Sequence, residues 1–183
     1  MNEPDRLTEP VDPARDHVRG DPAAPVTLLQ YGDFECPYCE EAYPELRAAL
    51  RRAGDGVRFV FRHFPIANKH PRAELAAQAA EAAGAQGRFW EMHDRLYEQG
   101  IRRLEREDLL EDARALGLDT ARFAAELDSG AHAARVAADH AGGEASGVTG
   151  TPGFFLDGER YRDFYDEETL TEVLRERLAA VRR

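Results

Sequence analysis

Val26-Thr27-Leu28-Leu29-Gln30-Tyr31, then Gly32-Asp33, then Phe34-Glu35-Cys36-Pro37-Tyr38-Cys39 is the stretch on which the reading of this chain turns. The first six residues are a β-rich run without turn formers, the pattern of a buried central strand. Gly32 and Asp33 break it. Pro37 suits the first position of a helix, because the N–H it lacks is one a helix start leaves unpaired anyway. The order predicts a strand that turns directly into a helix, with Cys36 at its mouth and Cys39 one turn inside. Residues three apart on a helix share a face, so the two sulfurs come within bonding reach. At the mouth, unpaired N–H groups and the positive end of the helix dipole favour a thiolate. In such motifs thiol pKa values fall to roughly 3.5–7.5. Cys39 should be less exposed and keep its proton. The pattern assigns Cys36 to attack a disulfide and Cys39 to resolve the mixed disulfide that results.

Outward from this stretch, the helix carries Tyr43, Leu46, Ala49 and Leu50 toward a core, with a kink expected at Pro44. Gly54-Asp55-Gly56 is a turn, and residues 57–62 read as a second strand with alternating faces. A β-α-β crossover is almost always parallel and right-handed, so these two strands should pair in parallel. Before them, Pro4, Pro10, Pro13, Pro22 and Pro25 mark residues 1–25 as a mobile, extended arm. From about 71 to 141 the sequence is rich in Ala, Glu, Arg and Leu without strand signals. Four or five short helices are predicted, punctuated at Gly84, Gly87, Gly100, Gly117 and Gly130, with Asp119 or Thr120 and Asp128 or Ser129 as caps. Strand signals return at Phe154-Phe155-Leu156. Asp157-Gly158 is a two-residue hairpin turn, and Glu159-Arg160-Tyr161 is the return strand. Residues 166–181 close the chain as an amphipathic helix with Leu170, Val173, Leu174, Leu178 and Val181 on one stripe and an acidic first turn. The expected class is α/β, a mixed central sheet with an all-helical insertion, in four parts: 1–25, 26–65, 66–146 and 147–183.

The chain has 183 residues, 43% hydrophobic and 32% charged, enough for one domain with an insertion and its own core. Its formal net charge of -11 argues against nucleic acid and anionic membrane surfaces as partners, both of which need a positive face. No apolar leader follows Met1, and no stretch reaches the roughly 20 apolar residues of a membrane helix. The expectation is a cytoplasmic monomer, or an extracytoplasmic one if a leader has been removed. Only two cysteines occur, three apart, and a disulfide across so short a loop stabilises little. The pair is therefore there for chemistry. Cys-x-x-Cys is also half of a zinc site, whose other ligands would come from His17, His63, His70, His93, His132 and His140. His63 and His70 stand seven apart, wider than common finger spacings. No metal or cofactor is expected.

A second motif is Gly147-Val148-Thr149-Gly150-Thr151-Pro152-Gly153. A proline just before an apolar strand marks the strand's first residue, since it cannot donate to a ladder. A cis Thr151–Pro152 bond would turn the chain and make the backbone of Thr151 available to an extended polypeptide; a trans turn proline is the commoner case.

Together these residues resemble the DsbA family of the thioredoxin superfamily. The branch with an FECPYC-type site is closer still, with Asp16 to Asp21, His63 to Pro65 and Phe89 to Asp94 as further matches over residues 16–183. Some relatives are domains attached to sodium/proton antiporters. The resemblance implies a thioredoxin-like fold, Cys36 and Cys39 as catalytic pair, and Pro37, Tyr38, Thr151 and a cis Pro152 as substrate-binding residues. Partners would be protein or small-molecule thiols and disulfides and an unidentified redox partner. Two departures stand out. Many thioredoxin-like proteins hold a buried acid six residues before the first cysteine, to take the inner cysteine's proton; here Gln30 cannot ionise. Water, Asp33 or Glu35 would have to serve. The best-known strong oxidant of the family has Pro-His between its cysteines; tyrosine is neutral near pH 7, so Tyr38 should stabilise the thiolate less.

Asp33 and Glu35 would raise the pKa of Cys36 if close. Phe34, Phe154 and Phe155 read first as core, and Trp90, Met92 and Leu96 as insertion core. His93 reads as a structural hydrogen-bonder, and exposed Tyr38 as open to substrate. Thiol–disulfide exchange leads the functional readings. A glutathione-linked transferase or isomerase usually has Ser or a single Cys at this place. A peptide-binding or chaperone-like module would work without its thiols.

Overall fold

The computed structural model describes residues 6–181, which divide into two units. The first holds the sheet: β1 (His17–Arg19), β2 (Val26–Gly32), β3 (Val57–His63, up to Arg62), β4 (Gly153–Leu156) and β5 (Glu159–Tyr161). Strand order is β1-β3-β2-β4-β5. The β1–β3, β2–β4 and β4–β5 pairs are antiparallel, so the β3–β2 pair joined through helix α1 (Pro37–Ala53) is what makes this sheet mixed. β2 is the central strand that its β-rich run without turn residues predicts, buried from Leu28 to Gly32. Asp157 (φ 50°) and Gly158 (φ 80°) both take positive φ, the type I′ geometry that suits a hairpin's twist. The Asp157 carboxylate also accepts from Thr27 N at 2.8 Å, tying the turn back to β2.

Leu46 and Ala49 of α1 are buried in this unit, as are Leu170, Leu174 and Leu178 of α7 (Glu167–Val181). Each such leucine contributes on the order of 1.5–3 kcal/mol. Val173 is half-buried and Val181 exposed, so the stripe is narrower than the periodicity implies. The carboxylate of Asp166 accepts from Thr169 N at 3.0 Å and caps the start of α7. Gly56 leaves the space that the Leu178 side chain occupies; a Cβ there would collide with it.

Two expectations change here. The arm is anchored over its described residues: β1 adds a fifth strand, and the chain before it wraps a buried arginine. Arg62 does not alternate outward from β3. It donates to both Asp16 carboxylate oxygens (2.8 and 2.9 Å), to the carbonyls of Glu9 and Pro10, and to the Tyr31 hydroxyl. Burial alone would raise the Asp16 pKa, but the hydrogen bonds and charge of Arg62 outweigh it and hold the carboxyl below its ordinary value. The arm covers what would otherwise be a solvent face, so strand periodicity could not reveal it.

The second unit comprises residues 33–40 and 63–141. Five helices follow one another: α2 (Ala73–Gly84), α3 (Phe89–Gln99), α4 (Arg106–Ala115), α5 (Thr120–Ser129) and α6 (Ala133–Ala145, the last turn lying in the first unit). Seven buried alanines in α2 let its neighbours approach closely, and Phe89, Met92, Leu96, Leu104, Leu109 and Phe123 fill the core. Asp119 caps α5, accepting from Arg122 N at 3.0 Å. Asp128 and Ser129 start nothing. Ser129 ends α5, because Gly130 takes the left-handed conformation (φ 65°) of a helix C-cap. Asp128 instead pairs with Arg106. No helix among the described residues is long and apolar enough to cross a membrane.

Candidate active site

Asp33 shapes the turn that delivers the cysteines. Its carboxylate accepts from Glu35 N (2.8 Å), and its carbonyl accepts from Cys36 N (3.2 Å), a side-chain-closed turn typical of aspartate. The carbonyl of Cys36 then accepts from Cys39 N and Glu40 N, both at 3.1 Å, starting α1. The two cysteines lie 3.9 Å apart and no disulfide joins them. Cys36 is only 2% exposed and Cys39 0%, so exposure separates the thiols less than their positions suggest. Pro37 and Tyr38 between them are exposed, Tyr38 at 63%.

Both acids that flank the site are buried and taken up. Asp33 accepts from Ile66 N (2.9 Å) and meets His70 Nδ1 at 2.6 Å. Glu35 receives Arg72 three times: backbone N at 2.6 Å, Nε at 2.8 Å and Nη2 at 2.7 Å. The influence of Glu35 on Cys36 is therefore partly offset by Arg72, a residue that the sequence pattern did not mark, while His70, weighed there only as a zinc ligand, is taken up by Asp33. They lie 37 positions along the chain from their partners, beyond any local periodicity.

Behind the turn lies a ring cluster. Phe34 stands 5.0 Å from Tyr97, 5.7 Å from His93 and 6.1 Å from His63, centroid to centroid. Met92 and Leu96 are buried as the insertion-core reading has it, Trp90 is half-buried, and His93 Nδ1 meets Asp94 at 3.0 Å. His63 Nε2 meets Glu81 at 2.7 Å. Tyr97 was not anticipated as a site residue. Its hydroxyl donates to the carbonyl of Asp33 at 3.5 Å. Burial first, then the nearby Cys39, Asp33 and Cys36, push the phenol well above its ordinary pKa. The only sequence signal was its place one turn after His93 on α3.

The remaining expected site residues belong to the sheet unit. Gln30 is 3% exposed on β2, opposite Phe154. Thr151 and Pro152 are half-buried just before β4, and the peptide bond between them is cis. Phe154 and Phe155 are core.

With this geometry in view, the comparisons agree on a family. The thioredoxin family model matches residues 13–176, and the chain belongs to that family. Its fold matches that of solved DsbA structures, among them alpha-DsbA1 from Wolbachia pipientis, with a TM-score of 0.77 at 18% identity over 96% of each chain. It is 48% identical over 177 residues to the Na(+)/H(+) antiporter NhaA 1 of Salinispora arenicola, a match covering 96% of this chain and 27% of that protein. The chain spans about a quarter of the length of the curated relatives it matches. Among solved structures, oxidised BdbD from Bacillus subtilis superposes with a TM-score of 0.80 at 22% identity, over 96% of this chain and 99% of that one. A thioredoxin-like oxidoreductase from Silicibacter pomeroyi gives 0.76 at 28% identity, over 93% and 94%. The cytoplasmic expectation is overturned by these relatives, which are named as antiporters and so as membrane proteins.

Proposed function

We propose that the chain is a dithiol–disulfide oxidoreductase, exchanging disulfides with protein or small thiol substrates through Cys36-Pro37-Tyr38-Cys39. The observation that carries this reading is the cysteine pair at Cys-x-x-Cys spacing, 3.9 Å apart at the start of α1. Cys36, at the helix mouth, attacks a substrate sulfur, and Cys39 displaces the captured sulfur to close the Cys36–Cys39 disulfide. Pro37 and Tyr38 form the exposed face between the cysteines and contact the substrate. Thr151, preceding Pro152, offers its backbone to an extended substrate chain, a role carried over from the family resemblance.

Reduction of insulin disulfides tests the reading: wild type should turn over, Cys36→Ser should be inactive, and Cys39→Ser should trap mixed disulfides. Wild type no better than Cys36→Ser would end it. A peptide-holding module would keep client binding after loss of both thiols, and metal analysis of the purified protein decides the zinc alternative. With tyrosine in place of the family's histidine and two acids beside Cys36, the protein is a weaker oxidant than the family's strong one. A glutathione titration placing its potential at or above that oxidant would refute this.

A further inference from the structure

We propose that His70 is a positioning residue for the attacking thiol: it grips the Asp33 carboxylate through Nδ1, and the proton its ring takes up cancels the Asp33 charge beside the turn that presents Cys36. This inference rests on the exchange reading above and deepens it, by naming a group that makes the first attack depend on pH.

Three donors converge on Asp33, whose side chain is 0% exposed. Glu35 N reaches one carboxylate oxygen at 2.8 Å; Ile66 N at 2.9 Å and His70 Nδ1 at 2.6 Å reach the other. A carboxylate only accepts, so Nδ1 is the donor. Ile66 and His70 are the two ends of one turn, closed by His70 N donating to the Ile66 carbonyl at 2.9 Å. One buried carboxylate therefore ties that turn to the one bearing the cysteines, where the Asp33 carbonyl accepts from Cys36 N at 3.2 Å.

A buried carboxylate needs a countercharge. Arg72 is engaged by Glu35 and Glu105, and His70 is the ring that meets Asp33 itself. The other titratable groups around this turn do not serve. Cys36, Cys39 and Tyr97, whose hydroxyl donates to the Asp33 carbonyl at 3.5 Å, carry no positive charge. His63 and His93 face the ring of Phe34 but meet Glu81 and Asp94. The His70 side chain is 17% exposed, so its ring reaches water while Nδ1 is held. Nε2 exchanges its proton with solvent, and no other bond changes. With that proton the pair is neutral; without it Asp33 is a net negative charge that opposes a Cys36 thiolate.

Two variants separate the grip from the charge. His70→Asn puts an amide N–H in the place of Nδ1 but takes up no proton; His70→Ala removes both. Iodoacetamide alkylation of Cys36 in the reduced full chain would be followed by mass spectrometry from pH 4 to 9. Both variants should raise the midpoint of the rate profile by about 0.5–1 pH unit and slow alkylation below that midpoint about three- to tenfold. The high-pH plateau should stay within about twofold of wild type. Where the alanine variant does not fold, the asparagine variant decides. A wild-type profile in His70→Asn would overturn the role, because the ring would then only tie the turn. So would a lowered plateau with an unmoved midpoint, the mark of a packing defect. A wild type that forms no Cys36 adduct with glutathione disulfide would defeat the exchange reading itself, whatever the midpoints show.

Discussion

In the sheet unit, Arg62 meets Asp16 with side chains 1% and 0% exposed; in the helical unit, Arg72 meets Glu35 with 31% and 7%. Arg62 is enclosed by the arm's carbonyls as well as by its acid, and every donor direction is directed inward. Arg72 reaches from the start of α2 with one side toward water, and also pairs with exposed Glu105 at 3.4 Å. The same two residue types therefore do different work. Where water is excluded, removing one partner strands a charge, so the pair fastens a segment. Where water screens the pair, breaking it costs little structure but alters the field at whatever lies beside it, here Cys36.

The comparison breaks most visibly at Asp16. Asp16→Ala should cost about 3–5 kcal/mol in urea unfolding, while Cys36 alkylation in the folded protein stays unchanged. A loss below about 1 kcal/mol would mean the arm clamp is no stronger than a surface pair. The same pair predicts an acid limb. The Asp16 carboxyl is held below its ordinary value, so its contribution is complete above about pH 4 and fades as pH falls through the folded value. Asp16→Asn should flatten that limb, read as unfolding free energy from pH 7 to 2.5; an unaltered acid slope would assign it to other carboxyls. Glu35→Gln sharpens the other side. Removing the anion and releasing Arg72 both favour the Cys36 thiolate, so alkylation at pH 6 should rise about two- to tenfold. No change, or a fall, would show that Glu35 does not act on Cys36. The smallest effect belongs to Tyr38→Ala, which should leave stability within about 0.5 kcal/mol of wild type and lower only turnover of protein disulfides. A large loss of stability there would mean the exposed ring is part of the packing.

The readable parts of this molecule are those governed by neighbours in sequence. A β-rich run without turn residues made β2, Asp157-Gly158 made the hairpin, and Asp119 and Gly130 bounded α5. Periodicity misled at Arg62, where alternation implied a solvent face and the arm supplied a buried acid instead. Residue type misled at Asp128 and Ser129, where two good cap formers lie at the end of a helix rather than at its start.

By itself the sequence determined the strand–turn–helix that carries Cys36 and Cys39, because backbone conformation within a few residues follows from β-branching, glycine, proline and the unpaired N–H groups at a helix start. Only the tertiary structure decided which groups surround those sulfurs. Tyr97 and His70 arrive from 64 and 37 positions away from Asp33, and Arg72 from 37 away from Glu35. No local rule encodes such meetings. They are set by how the helices pack around Phe34, where burial turns an ordinary phenol or carboxylate into a partner that sees little water.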